Sequence, residues 1–153
     1  MKPLPEIDSS LAATDPTSMA SFNELVVAEY RANAGQLSGQ FADLPVLLLT
    51  TLGARSGLSR TTPLCYIEES GTYVIAASKA GADRNPDWYH NLVADQGVTV
   101  EVGATTFDAV ATIVEGDERD RLYERLARAL PLYATYQHKT ERTIPVVVLR
   151  PRP

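Results

Sequence analysis

The sequence predicts an α+β fold, a small barrel of about six mainly antiparallel strands with two to four flanking helices. Three observations predict it. Short runs rich in β-branched and apolar residues alternate with Gly-bearing turns from Pro45 to Val114. Successive strands joined by short turns must run antiparallel, because a parallel crossover needs about a dozen residues or more. Two longer stretches carry apolar residues at helical spacing, one on each side of the strand-rich region.

Residues 1–20 are rich in Ser, Thr, Pro and Asp without a sustained period, which reads as a flexible arm able to close over a ligand. A single domain is expected over residues 21–153. Its first helix fits Phe22 to Ala34, with Ser21 and Glu24 as a capping box, Phe22, Leu25, Val26 and Tyr30 as the apolar face, and Gly35 as the stop. Strands follow at Val46 to Thr51, Thr61 to Glu68, Tyr73 to Ser78, Val98 to Val102 and Phe107 to Val114. A second helix fits Asp117 to Leu130, acidic in its first turn (Asp117, Glu118, Asp120) and basic later (Arg121, Arg125, Arg128), as the helix dipole favours. Leu122, Tyr123, Leu126 and Leu130 are its buried face. The last strand, Ile144 to Leu149, is almost wholly apolar and should lie centrally, covered on both sides. No strand, GxGxxG and helix succession is present, which excludes a Rossmann domain.

A net charge of -5 over 153 residues argues against nucleic acid as a partner, so any anion site must be local. The single cysteine, Cys65, excludes an internal disulfide and a Cys-rich zinc site, and His90 and His138 are too few to complete a metal site. No metal is expected. No apolar run follows Lys2, so no secretory signal or membrane span is read; a cytoplasmic address is expected, with peripheral membrane contact left open.

Four motifs carry the chemistry. In Thr50-Thr51-Leu52-Gly53-Ala54-Arg55-Ser56-Gly57-Leu58-Ser59-Arg60-Thr61-Thr62-Pro63, two glycines frame a turn that exposes backbone N–H groups. Arg55, Ser56, Ser59, Arg60 and Thr61 add donors suited to phosphate or carboxylate oxygens. The motif reads as an anion cradle or as a hairpin with a polar tip. The absence of Asp and Glu between Leu44 and Ile67 favours the cradle, since a merely solvated turn mixes signs. The second motif, Ala76-Ala77-Ser78-Lys79-Ala80-Gly81-Ala82, sets Ser78 and Lys79 at the end of a strand among residues small enough for a flat ring to approach the backbone.

The third motif, Asn85-Pro86-Asp87-Trp88-Tyr89-His90-Asn91-Leu92, reads as a helix start with Asn85 as N-cap. Trp88, Asn91 and Leu92 share one face, which either covers a ring or belongs to the core. The fourth, Leu130-Pro131-Leu132-Tyr133-Ala134-Thr135-Tyr136-Gln137, places two tyrosines three residues apart. They serve either as donors to a developing oxyanion or as an aromatic plug. Cys65 within a strand, without a histidine nearby in sequence, reads as a buried small hydrophobe.

Together these blocks, with Arg142-Thr143-Ile144-Pro145-Val146-Val147-Val148, resemble the deazaflavin-dependent nitroreductase family, actinobacterial proteins that bind coenzyme F420 in a split β-barrel. The resemblance runs from about Asn23 to Leu149. It implies that Arg55, Ser56, Arg60 and Lys79 hold the coenzyme's phosphate and polyglutamate tail, with Ala54 among the contacts. It implies further that Thr61, Thr62, Pro63, Leu64, Cys65, Ala76, Ala77 and Ser78 line the ring and ribityl chain. Asp87, Trp88, Tyr89, His90 and Asn91 then border the site, Tyr133 lies near the ring and Tyr136 near the substrate. Cys65 and Leu130 stand where some nitroimidazole-active members carry tyrosine, which should make the pocket less polar.

The expected activity is hydride transfer from reduced coenzyme F420 to quinones, activated enones or nitroaromatic compounds, that is, a quinone reductase or nitroreductase. Tyr133 is the first candidate proton donor and Tyr136 or Ser78 the next. The alternatives are a non-catalytic carrier of the coenzyme or of a lipid-like ligand, and an oxidoreductase that uses FMN. A monomer or weak dimer acting on a small molecule is expected.

Overall fold

The computed structural model describes residues 16–153, with side chains from Ser21 onward; residues 1–15 of the expected arm lie outside the described part. Helix α1 spans Pro16–Ala32, so Ser21 sits inside it and the capping box expected from Ser21 and Glu24 does not form. Proline suits a first helical turn because its φ is already helical and its missing N–H has no intrahelical partner there. Phe22, Val26 and Tyr30 form the buried stripe of α1, whereas Leu25, expected on that face, is 51% exposed.

The strands are β1 (Val46–Leu52), β2 (Ser59–Cys65), β3 (Ile67–Glu69), β4 (Thr72–Ala76), β5 (Gly97–Val102), β6 (Thr105–Val114) and β7 (Val146–Pro151). They form one sheet in the order β2-β1-β5-β6-β7-β4-β3, with every pairing antiparallel. The run expected as one strand from Thr61 to Glu68 is interrupted only at Tyr66. Its first half pairs with β1, Cys65 opposite Val46, and its second half pairs with β4, Ile67 opposite Val74. The two edges of the sheet are thus consecutive in the chain, and the sheet must curl to let one bent strand serve both. The Tyr66 N–H, donating to Pro45 O at 3.1 Å, continues the β1 pairing through the bend. This is the split-barrel architecture expected, with the second of the six expected strands divided into β2 and β3.

Alternation sorts the side chains. Leu47, Leu49, Ile75, Val98, Val100, Ala109, Ala111, Val147 and Leu149 point into the barrel. Helix α2 (Asp87–Ala94) adds Trp88 and Leu92 to that interior. Val74, Ala76, Val146 and Val148 point outward and are covered by Leu122, Tyr123 and Leu126 of helix α3 (Gly116–Ala129). The last strand is therefore central and covered on both faces, as its apolar run predicts. Leu126 is fully buried in this layer, so its truncation to Ala should cost about 2–5 kcal/mol. Phe22, Val26 and Tyr30 of α1 cover Val46 and Leu48 on another outer sector.

Two elements differ from expectation for a tertiary reason. Residues Leu132–His138 form a separate short helix, α4, although so short a segment lacks intrinsic helical stability; its packing on α3 holds it. Strand β4 stops at Ala76 instead of Ser78, because the chain turns there into a run of positive φ values described below.

Candidate functional site

The β1–β2 hairpin ends in a tight turn. Gly53 N–H donates to Leu58 O at 2.8 Å, Gly57 N–H to Gly53 O at 2.9 Å, and Ser56 Oγ accepts from Leu58 N–H at 3.2 Å. A Cβ on Gly53 would lie 2.5 Å from Ser56 Oγ and 3.1 Å from Leu58 O, so a side chain there would push the serine hydroxyl off its bond to Leu58. From the other side Asn91, on α2, pins it. The Asn91 amide oxygen accepts from Ala54 N–H at 3.0 Å, and its amide nitrogen donates to Thr51 Oγ1 at 3.1 Å. Asn91 is buried, so its side chain is a built-in brace between helix and turn. Arg55, Ser56 and Arg60 lie exposed around this braced backbone.

The second motif leaves β4 as a strained loop. Lys79, Ala80 and Gly81 have successive φ values of 46°, 54° and 83°. Such backbone in non-glycine residues costs of order 1–3 kcal/mol per residue and persists only where its surroundings hold it. A Cβ at Gly81 would come within 2.9 Å of the Lys139 side chain and 3.0 Å of Tyr136 O, so the loop lies directly against α4. Burial, assisted by Arg84 and Arg142, pulls the Lys79 pKa below its usual value, while Asp87 works in the opposite direction.

Arg142 holds the loop from beneath. Its guanidinium donates to Ala77 O (3.1 Å), Ser78 O (2.9 Å), Ala82 O (2.8 Å) and Asn85 Oδ1 (2.7 Å). Gln137 of α4 donates to Arg142 O at 2.8 Å and accepts from Ile144 N–H at 3.1 Å and from Arg119 at 2.7 Å. Arg142, Gln137 and Asn85 were not singled out as functional from the sequence. The available signal was a lone arginine directly before an apolar strand, inside a block that carries the family resemblance.

Tyr133 and Tyr136 of α4 pack edge to face at 5.7 Å between ring centres, and Tyr133 meets Tyr123 in the same way at 6.2 Å. The Tyr123 hydroxyl donates to Tyr133 O, and Arg119 lies 4.5 Å over the Tyr123 ring, which fixes the start of α4 against α3. Burial, and then the neighbouring Cys65, raise the pKa of both Tyr133 and Tyr136, so both phenols are protonated at neutral pH. Burial also pushes the Cys65 thiol up to about 11, which keeps it neutral and a poor nucleophile. Among the described residues the Tyr133 hydroxyl has no hydrogen-bond partner, and no buried polar side-chain atom lacks one. The hydroxyl therefore opens onto solvent-accessible space.

These segments are neighbours. The hairpin turn touches α2 through Asn91, α2 begins beside the Lys79 loop through Asp87, and that loop abuts α4, whose tyrosines meet Cys65 on β2. Strand alternation divides the stretch from Thr61 to Cys65. Leu64 packs into the barrel interior opposite Leu47, and Thr62 opposite Leu49 shares its face. Thr61, Pro63 and Cys65 lie on the outer face, and Cys65 there meets the tyrosines. Likewise Ala76 faces outward and Ala77 inward, while Ser78 is buried at the loop start. Trp88 is 6% exposed and packed in the interior, Tyr89 is half-buried with its ring against His90, and Asp87 and His90 are exposed.

Comparison with known proteins bears on the fold and the family. Residues 23–151 match the model of the F420H(2)-dependent quinone reductase family. The F420H(2)-dependent quinone reductase of Mycobacterium tuberculosis is 40% identical over 131 residues, covering 82% of this chain and 87% of the relative. The solved F420-H2-dependent reductase FDR-A of Mycobacterium smegmatis is 42% identical with a TM-score of 0.65, over 69% of this chain and 94% of that one. A structure described as a domain-swapped dimer is 36% identical with a TM-score of 0.67, over 89% of this chain and all of its own. A turn of unpaired arginines, a strained lysine loop and neutral tyrosines thus sit on a barrel whose sequence and shape both match F420-dependent reductases, and the chain belongs to the F420H(2)-dependent quinone reductase family.

Proposed function

We propose that this chain reduces quinones with reduced coenzyme F420 seated between the Gly53–Gly57 turn, the Ala77–Asn85 loop and the outer face of β2. The observation that carries the placement is the distribution of ion pairs. Among the described residues Arg31, Arg119, Arg121, Arg125 and Arg128 pair with carboxylates, whereas Arg55, Arg60, Lys79, Arg84, Lys139, Arg142, Arg150 and Arg152 do not, and the first four of these belong to the hairpin and the Lys79 loop. Four unpaired cations around one set of small residues, in a chain of net charge -5, fit a ligand with phosphate and carboxylate groups.

In this reading Arg55, Ser56, Arg60 and Lys79 hold the anionic groups, together with the braced N–H groups of the turn. Thr61, Pro63, Cys65, Ala76 and Ser78 border the flat ring, and Ala77 and Thr62 contribute through backbone. When bound, the coenzyme supplies the hydride. Tyr133 donates a hydrogen bond and then a proton to the acceptor oxygen on which negative charge develops, with Tyr136 and Ser78 beside it. Leu130 and Cys65 keep the acceptor's surroundings apolar, which favours quinones and activated enones over nitroaromatic compounds. The described barrel and helices act as one cofactor domain, in a monomer or weak dimer. No described helix is long and apolar enough to cross a membrane.

Quenching of coenzyme F420 fluorescence by the protein, then oxidation of the reduced coenzyme with menadione, a coumarin enone and a nitroimidazole, tests the proposal. Quenching at micromolar protein with menadione turnover is expected. Quenching without turnover on any acceptor would make the protein a carrier, and no quenching at tens of micromolar would remove the site.

A further inference from the structure

The strain in the Lys79 loop requires a cause, and among the described residues one side chain hydrogen-bonds the loop on both sides of it. Arg142 reaches Ala77 O and Ser78 O before the three positive-φ residues, and Ala82 O and Asn85 Oδ1 after them. The loop's own backbone supplies two short-range bonds, Gly81 N–H to Ser78 O at 3.0 Å and Ala82 N–H to Lys79 O at 3.1 Å. Without the guanidinium, the carbonyls of Ala77 and Ala82 would turn to solvent and the chain could relax to ordinary φ values. A planar guanidinium carries five N–H donors in a fixed fork and can serve four separated acceptors at once, which a lysine ammonium cannot.

The same residue connects the loop to the opposite wall. Its backbone carbonyl accepts from Gln137, three residues past Ala134 on the helix that carries Tyr133 and Tyr136. Arg142 is part-buried, and its charge is turned towards neutral acceptors, with Asp83 the acidic neighbour. An arginine that spends four of its five donors on backbone and amide oxygens of one loop is committed to that loop before any anion. We infer that Arg142 is a positioning residue, which fixes the Ala77–Asn85 loop in the shape that presents Ser78 and Lys79 and sets the distance of that loop from the tyrosine helix. The inference rests on the cofactor site proposed above.

The test compares Arg142→Met, Arg142→Lys and Asn85→Ala with a control of similar structural cost elsewhere, Tyr30→Phe. The Tyr30 hydroxyl bonds Val46 O (2.9 Å), Glu101 O (3.2 Å) and Gly103 N (2.8 Å), and it touches neither loop nor α4. Each protein is titrated with coenzyme F420 by fluorescence quenching, melted, and assayed with menadione for KM and kcat. Arg142→Met should raise Kd and the KM for the reduced coenzyme about tenfold or more, with kcat at saturation changed less than about threefold. Arg142→Lys should not rescue it, and Asn85→Ala should raise Kd about two- to threefold. Tyr30→Phe should lower Tm with Kd unchanged. If Arg142→Met does not fold, the lysine and Asn85 variants carry the comparison. Wild-type Kd in the Arg142 variants, full rescue by lysine, or a Kd that simply follows Tm across all four proteins would overturn the inference. Absence of quenching by the wild type would instead remove the cofactor site, and this inference with it.

Discussion

The outer face of α3 and the rim of the β1–β2 hairpin both carry arginines, and they use them in opposite ways. On α3, Arg121 and Arg125 converge on Glu69 of β3, Arg121 also meets Glu118, and Arg128 meets Glu124 one turn away. Arg121, and with it Arg125, lowers the Glu69 pKa from its usual value, and these arginines find their counter-charges within the chain. At the hairpin rim the sequence supplies no carboxylate from Leu44 to Ile67, and Arg55 and Arg60 pair with nothing described. That difference is why the hairpin rim, and not α3, is proposed as the anion-binding surface.

The sharpest way to break that comparison is to delete the rim. The double variant Arg55→Ala and Arg60→Ala removes two charge-assisted bonds of about 1.5–3 kcal/mol each, so coenzyme affinity should fall on the order of a hundredfold to ten-thousandfold with Tm nearly unchanged. Isothermal titration beside a melting curve measures both. A next step separates binding from chemistry: Tyr133→Phe should lower kcat on the order of a hundredfold while Kd for the coenzyme stays within about twofold. Unchanged kcat would hand the donor role to Tyr136 or Ser78.

The pH response is smaller and its sign is fixed. The Lys79 pKa is lowered in the free protein, chiefly by burial, and a bound anion would raise it again. Binding therefore takes up a proton between those two values; affinity is complete below the lowered value and falls as pH rises through it. Lys79→Gln should flatten that alkaline loss. The smallest effect belongs to α3: Arg121→Ala removes two exposed ion pairs, to Glu69 and Glu118, which solvent screens, and should leave coenzyme affinity untouched. A tenfold loss of affinity there would erase the distinction between the two faces.

Much of this was legible in the sequence because it is written in local periods. Alternation located the strands, the apolar run Ile144 to Leu149 announced a central strand that pairs over Val146–Pro151, and the missing acids singled out the rim now proposed to bind. The rest depends on contacts across the chain. Nothing near Arg142 shows that it reaches residues 77–85, nor does Asn91 reveal in sequence that its amide clasps a turn beginning at Gly53. α4 is too short to show a helical period of its own, and strand parity at Thr62 and Leu64 could be assigned only once β1 fixed the interior. Helix α1 begins a turn and more before the apparent cap at Ser21, because a capping sequence is permissive and a longer helix simply runs through it.

The bend at Tyr66 has a consequence for how such a pocket can diversify. The strand that borders the site is also the seam of the barrel, held in register with β1 on one side and β4 on the other. A residue added or lost between Pro63 and Ile67 would slip one of those pairings and turn its side chains to the wrong face. Loops elsewhere can change length, but this wall can change only by exchanging side chains in place. Within the proposed site, position 65 is therefore open to exchange of its side chain but not to a change in chain length.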